Sequence, residues 1–149
     1  EILGRLVGSE MCIRDREMAA FAGFLTGREA AKYMTVRNEG SIFFTGATAS
    51  MRGGSGFSAF ASAKFALRAV SQSMARELGP QGIHVAHFII DGAIDTAFIK
   101  ENFPDRYALK EKDGILQPDA IADAYWFVHT QHRSAWTHEL DLRPYMEKF

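Results

Sequence analysis

Gly40-Ser-Ile-Phe-Phe-Thr-Gly-Ala47, Phe60-Ala-Ser-Ala-Lys64 and Gly82-Ile-His-Val85, the last running on to Asp91-Gly-Ala-Ile-Asp-Thr96, set the architecture of the chain. Ser41–Thr45 is short and apolar on both faces, which predicts a strand buried within a sheet. Gly46 to Gly56 is a small-residue stretch carrying Gly46, Gly53, Gly54 and Gly56, and predicts a loop. From Ser58 to Leu78, residues Phe60, Ala63, Leu67, Val70, Met74 and Leu78 recur along one side of a helix, and Gly79-Pro80 stops it. Ile83–Ile90 then reads as a second buried strand, closed by Asp91-Gly92.

Upstream, Phe21 to about Arg37 is helical, with Phe21, Phe24, Leu25 and Met34 on an apolar stripe and Asn38-Glu39-Gly40 as its end. Downstream, 97–117 is polar and irregular, the composition of a mobile lid, in which Phe98, Phe103 and Tyr107 either line a site or pack the segment down. Pro118 starts a helix carrying Ile121, Ala124, Tyr125 and Val128 to about His132. Trp136, His138, Leu140 and Leu142 then alternate with Thr137, Glu139 and Asp141, as in a one-sided edge strand stopped by Arg143-Pro144. Helix and strand in alternation predict a parallel α/β sheet.

The chain has 149 residues, 47% hydrophobic and 23% charged, as expected of a soluble, cytoplasmic globular protein. A net charge of -1 excludes the basic excess of a nucleic-acid binder. No apolar run reaches the roughly 20 residues of a membrane span. One cysteine, Cys12, excludes a disulfide framework and a Cys-built zinc site. His84 and His87, three apart on a strand, face opposite sides and form no joint metal site; each reads as a surface or core-satisfied histidine. Trp136 and the pair Phe21 and Phe24 read as packing residues.

The order strand, small-residue loop, helix with Lys64, strand, Asp91-Gly92 resembles the C-terminal half of the short-chain dehydrogenase/reductase family, a doubly wound Rossmann fold that binds NAD or NADP. The resemblance covers roughly Phe21 to Leu142 and is densest from Ser41 to Thr96. It implies a tyrosine, a lysine four residues later and a serine thirteen residues before the tyrosine. Four residues is one helical turn, so the lysine lies beside the phenol, lowers its pKa and reaches the nicotinamide ribose. The phenol moves the proton while hydride passes between cofactor and carbinol carbon, and the serine polarises the substrate oxygen. Lys64 matches the lysine, but Phe60 stands at the tyrosine position and Ala47 at the serine position. A tyrosine seven residues before the lysine, the family's other spacing, falls on Phe57. Thr48 is a possible substitute hydroxyl after a small loop shift; Thr45, Ser50 and Ser58 are simpler as loop residues bonding local backbone.

By the same resemblance, Gly92, Ile94 and Thr96 match the segment that holds the nicotinamide amide and touches the pyrophosphate. Asp91 replaces a proline there, and Asp91 and Asp95 are simplest as turn or capping residues rather than as a substitute acid. The glycine-rich phosphate turn and the selector for the ribose 2′ position have no counterpart in the chain, so NAD and NADP stay undivided. The resemblance also implies a small-molecule substrate and a homo-oligomer, a dimer through helices 21–37 and 58–78. Three readings result. One is part of an oxidoreductase acting on a carbonyl or alcohol; another is a non-catalytic member serving as a cofactor-binding or dimerisation partner. The third, an unrelated flavodoxin-like α/β domain, accounts for the elements but not for Lys64 together with Gly92-x-Ile-x-Thr96.

Residues 5–16, Arg-Leu-Val-Gly-Ser-Glu-Met-Cys-Ile-Arg-Asp-Arg, resemble the translation of a sequencing-library adaptor. The expectation is a non-native leader over 1–16 and a partial domain over 17–149, its N-terminal half missing.

Overall fold

The computed structural model describes residues 16–148. The leader expected over residues 1–16 lies outside them, apart from Arg16. A π-helical turn, Arg16–Phe21, leads into α1, Ala22–Arg37. Asn38 ends α1 in the left-handed conformation (φ 53°), donating its backbone N–H to the carbonyls of Met34 and Thr35. Then follow β1, Gly40–Thr45; a short 3₁₀ turn, Thr48–Ser50; α2, Ser58–Leu78; and β2, Ile83–Ile90. Two short helices come next, α3, Ala97–Asn102, and α4, Pro104–Tyr107. The last elements are α5, Pro118–His129, and β3, Glu139–Leu142.

The three strands form one parallel sheet in the order β1-β2-β3. Gly40 through Thr45 pair with Ile83 through Phe88, and His87 through Ile90 pair with Glu139 through Leu142. Alternation then assigns side chains to layers. Ile42, Phe44, Ile83 and Val85 meet Leu67, Met74 and Leu78 of α2. On the opposite face Phe43, Ala86, Phe88, Ile90, Leu140 and Leu142 meet Tyr125 and Val128 of α5. All eight residues of β2 are buried, as a central parallel strand with both faces covered requires. The helix pair approaches closely because α1 carries Gly27, where a Cβ would lie 2.9 Å from the end of Met74.

Several expectations are corrected. Phe21 and Phe24 do not pack inward: they are 59% and 41% exposed, and the inner side of α1 is held by small residues and Met34. Segment 97–117 is not irregular. Thr96 accepts the Ile99 N–H and caps α3, Pro104 opens α4, and 108–112 forms a 3₁₀ turn. Helix α5 ends at His129 rather than His132, with Thr130 as its cap. Strand pairing of β3 begins at Glu139; before it, Trp136 stacks flat on His84 with ring centroids 4.7 Å apart, and the Gln131 side chain takes the Thr137 N–H at 2.8 Å. Both histidines of β2 are core residues on opposite faces, and neither is at the surface. His84 Nε2 bonds the Thr137 carbonyl at 2.8 Å, while His87 Nδ1 meets Glu139.

Candidate active site

The carboxyl ends of β1 and β2 carry the loops that open α/β sheets use for ligands. After β1, Gly46 donates its N–H to the Phe88 carbonyl at 2.6 Å. Ala47 N–H goes to Ser50 Oγ at 3.1 Å, and Ser50 N–H returns to the Ala47 carbonyl at 2.7 Å. This reciprocal closure makes one tight turn of residues 47–50, with Ser50 fully buried. Thr48 leaves the turn on the side of β2, and its hydroxyl donates to Asp91 Oδ1. Asp91, only 4% exposed, also lies 3.5 Å from Arg143 and 3.9 Å from Arg52. It therefore bridges the two loops that meet at the sheet end and caps no helix. The hydroxyl's single proton is spent on a carboxylate, so in this arrangement Thr48 offers only lone pairs to a ligand.

Lys64 sits two turns into α2 and directs Nζ to the Thr45 carbonyl at 3.0 Å. The ammonium lies 5.8 Å from the centre of the Phe60 ring, one helical turn back. Burial pulls its pKa below the ordinary lysine value. The arrangement keeps a lysine beside an aromatic ring, but the ring has no hydroxyl to ionise. Ala47 likewise presents only a methyl group. Thr45 divides its polar groups: its carbonyl takes Lys64, while Oγ1 bonds Tyr125 Oη at 2.8 Å on the opposite face. Tyr125 stacks on Phe88 with centroids 3.7 Å apart, and burial pushes its pKa up. Ser58 is exposed at the start of α2, and Phe57 before it is 59% exposed.

The loop after β2 begins at Gly92, whose φ of +150° favours glycine. A Cβ there would lie 2.8 Å from Pro144 Cδ. Ile94 forms a parallel bridge with Leu116, through Leu116 N–H to the Ala93 carbonyl (2.8 Å) and Asp95 N–H to the Leu116 carbonyl (2.9 Å). In such a bridge the N–H and C=O of Ile94 itself face away from Leu116. Thr96 keeps its hydroxyl proton while its Oγ1 accepts from Ile99 N–H at 3.3 Å. Asp95 pairs with Lys110 at 2.8 Å, which holds its pKa below the usual aspartate value. Phe98 and Phe103 pack edge to face, yet remain 63% and 48% exposed. Tyr107 lies between Lys100 and Lys110.

Arg68 and Glu139 were not singled out by the sequence reading. Arg68 follows Lys64 by one helical turn and grips Glu139 through Nε (2.7 Å) and Nη2 (2.6 Å). Glu139 also meets His87 Nδ1 at 3.0 Å. Burial works against ionisation of Glu139, but the hydrogen bonds from Arg68 and His87 outweigh it and leave the pKa below the usual value. Among the described residues, no three His, Cys, Asp or Glu side chains form a metal-binding group.

A parallel α/β sheet with a lysine, a glycine turn and a buried carboxylate at its carboxyl end is the architecture of part of a Rossmann-type fold. Residues 16–107 match the family described as short chain dehydrogenase, and the chain belongs to that family. It is 31% identical over 110 residues to (21S)-21-acetoxyl-apo-melianone synthase SDR of Melia azedarach, across 68% of this chain and 40% of that protein. A short-chain dehydrogenase from Rhodopseudomonas palustris superimposes with a TM-score of 0.72 at 50% identity, covering 94% of this chain and 55% of that one. The closed form of a serine dehydrogenase complexed with NADP+ shares the fold at 23% identity and a TM-score of 0.65, covering 78% and 48%. The chain thus spans roughly two fifths to just over half the length of these relatives.

Proposed function

We propose that residues 17–149 form the C-terminal part of a cytoplasmic NAD(P)-dependent oxidoreductase that interconverts an alcohol and a carbonyl compound by hydride transfer. The observation that carries this reading is Lys64, held at the carboxyl end of β1 by the Thr45 carbonyl at 3.0 Å. The residues fit the nicotinamide end of such a cofactor. Lys64 would donate to the ribose hydroxyls, the backbone of Ile94 to the amide, and Thr96 through its hydroxyl to the pyrophosphate. Gly92 keeps the turn clear of a Cβ. When bound, the cofactor would supply the hydride in its reduced form and accept it in its oxidised form. The chain's own residues leave proton movement unusual: Phe60 and Ala47 carry no hydroxyl, and the Thr48 hydroxyl donates its hydrogen bond to Asp91. Self-association through helices 21–37 and 58–78 belongs to the same reading. It is supported by exposed Phe24, Tyr33, Val36 and Phe65 on these helices.

That proton inventory gives specific support to a second reading, in which the protein binds cofactor or a partner subunit without turnover. The test uses full-length protein carrying this chain. NADH and NADPH are titrated by fluorescence, then hydride transfer is assayed over a panel of alcohols and carbonyls. The first reading expects binding and turnover in the unaltered protein. Binding without turnover, with turnover appearing in Phe60→Tyr or in Phe60→Tyr with Ala47→Ser, gives the second. Absence of binding to either cofactor overturns both.

A further inference from the structure

Beneath the 46–50 turn lies an assembly of two half-buried charged side chains and one buried histidine, with no part in that proton inventory. Arg68 of α2, Glu139 of β3 and His87 of β2 come from three elements, and a second arm of Arg68, Nη1, reaches the Ser50 carbonyl of the turn at 3.4 Å. Glu139 accepts both parallel N–H groups of the guanidinium fork, a directional pairing that a lysine would not reproduce. As an ionised carboxylate, Glu139 also accepts from His87 Nδ1–H at 3.0 Å. That fixes the tautomer and leaves Nε2 as a bare lone pair. His87 is 0% exposed and its Nε2 has no hydrogen-bond partner. The ring rests on the turn: a Cβ on Gly46 would overlap the imidazole and would lie 2.7 Å from Ser50 Oγ. The turn is thus fixed by a hydrogen bond from one end of the assembly and by contact with the other.

We propose that Arg68, Glu139 and His87 are positioning residues that set the 46–51 turn, and with it Ala47 and Thr48, against Lys64. Lys64 and Arg68 stand one turn apart on α2, so the helix that presents the ammonium is tied to the loop facing it. Packing alone does not need such a device, because well-packed apolar residues often replace even a fully buried ion pair with no loss of stability, and this pair is half-buried. What they do not supply is direction. The proposal rests on the nicotinamide-site reading for the meaning of the site, not for the mechanics of the turn.

The test is amide hydrogen exchange on the full chain, unaltered and as Glu139→Gln, with thermal melting alongside. Expected is a tenfold or greater acceleration at Gly46, Ala47, Ser50 and Met51, with amides of α5 unchanged. Should Glu139→Gln fail to fold, the apolar pair Arg68→Met with Glu139→Leu is measured instead. It is expected to melt close to the unaltered chain while the turn still exchanges fast. Unchanged exchange at 46–51, or acceleration spread evenly over α2, α5 and the turn, overturns the proposal. In full-length protein, Glu139→Gln is expected to weaken NAD(P)H binding fivefold or more below the melting range. An unaltered protein that binds neither cofactor refutes the functional reading and leaves the exchange result standing.

Discussion

At Gly46 there is no room for a single methyl group. The position is closed on one side by the His87 ring and on another by Ser50 Oγ, both fully buried. Gly46→Ala is expected to cost about 1–3 kcal/mol through overpacking, read as a shift in the urea midpoint. Gly53→Ala, whose Cβ would meet nothing within 4 Å, is the control and is expected to stay within about 0.5 kcal/mol. His87 also makes stability depend on pH. Burial lowers the pKa of both His84 and His87 below the ordinary value of 6.5. As pH falls through 6.5 the unfolded chain takes up protons that the folded chain refuses, so stability drops, and it stops dropping on this account below the folded pKa values. Glu139 has the opposite history. Its carboxylate is favoured when folded, so its contribution is intact above 4.5 and is lost as pH falls further, through its lowered pKa. Melting temperature measured from pH 8 downward is therefore expected to fall in two stages, one beginning near 6.5 and one below 4.5. His87→Leu should reduce the first stage; an unaltered first stage in that variant sinks the assignment.

Among the elements, α2 carries the most. Leu67, 5% exposed, packs from it onto Ile42 and Phe44, and Leu67→Ala is expected to cost about 2–5 kcal/mol in denaturant unfolding. Helix α3 is held locally. Thr96→Ala removes its cap and is expected to cost about 1 kcal/mol, seen as faster amide exchange in 97–102 with the melting temperature of the core unchanged. The contrast explains what could be read in advance. The bounds of α2 and β2 were legible because they depend on local pattern: one-sided helical spacing stopped by Gly79-Pro80, and an unbroken apolar run. Lys64 and Gly92 were singled out through the family resemblance, and the structure sets them beside the carboxyl ends of β1 and β2. The bridge from Thr48 to Asp91 spans 43 positions and follows from where two loops meet, which no local pattern carries. Glu139 was hidden for a different reason. Alternation put it on the face away from Leu140 and Leu142, which is right, but that face is covered by α2, and there Arg68 of α2 and His87 of β2 both bond the carboxylate. The helices of 97–112 were missed because caps at single residues, not an apolar stripe, hold them.

Across the described residues, apolar surface is left at the open edge of β1, on the outer face of the α1–α2 pair, and on α5, where Trp126 and Phe127 are exposed. Among the described residues β1 pairs only with β2, so its other edge presents backbone groups along a groove of about 480 Å³. The groove is lined by Met18, Ala22, Gly23, Ile42, Phe44 and Leu67 among others. An open strand edge flanked by apolar side chains is a template for pairing with another chain. The second side is the outer face of the α1–α2 pair, where Phe24 and Phe65 are each 41% exposed. The chain alone is therefore expected to self-associate, its mass rising with concentration in light scattering coupled to size exclusion. Replacing Phe24 and Phe65 together by Glu isolates the helix-face route. Charge on the helix face would return the chain to a monomer if the helices meet, since carboxylates buried between like faces have no partner to offset their desolvation. Association that persists in this variant runs through the β1 edge or the exposed Trp126 and Phe127 of α5. A monomer at every concentration, melting in one cooperative step, would mean that these surfaces are tolerable to water and that the argument from exposed area fails.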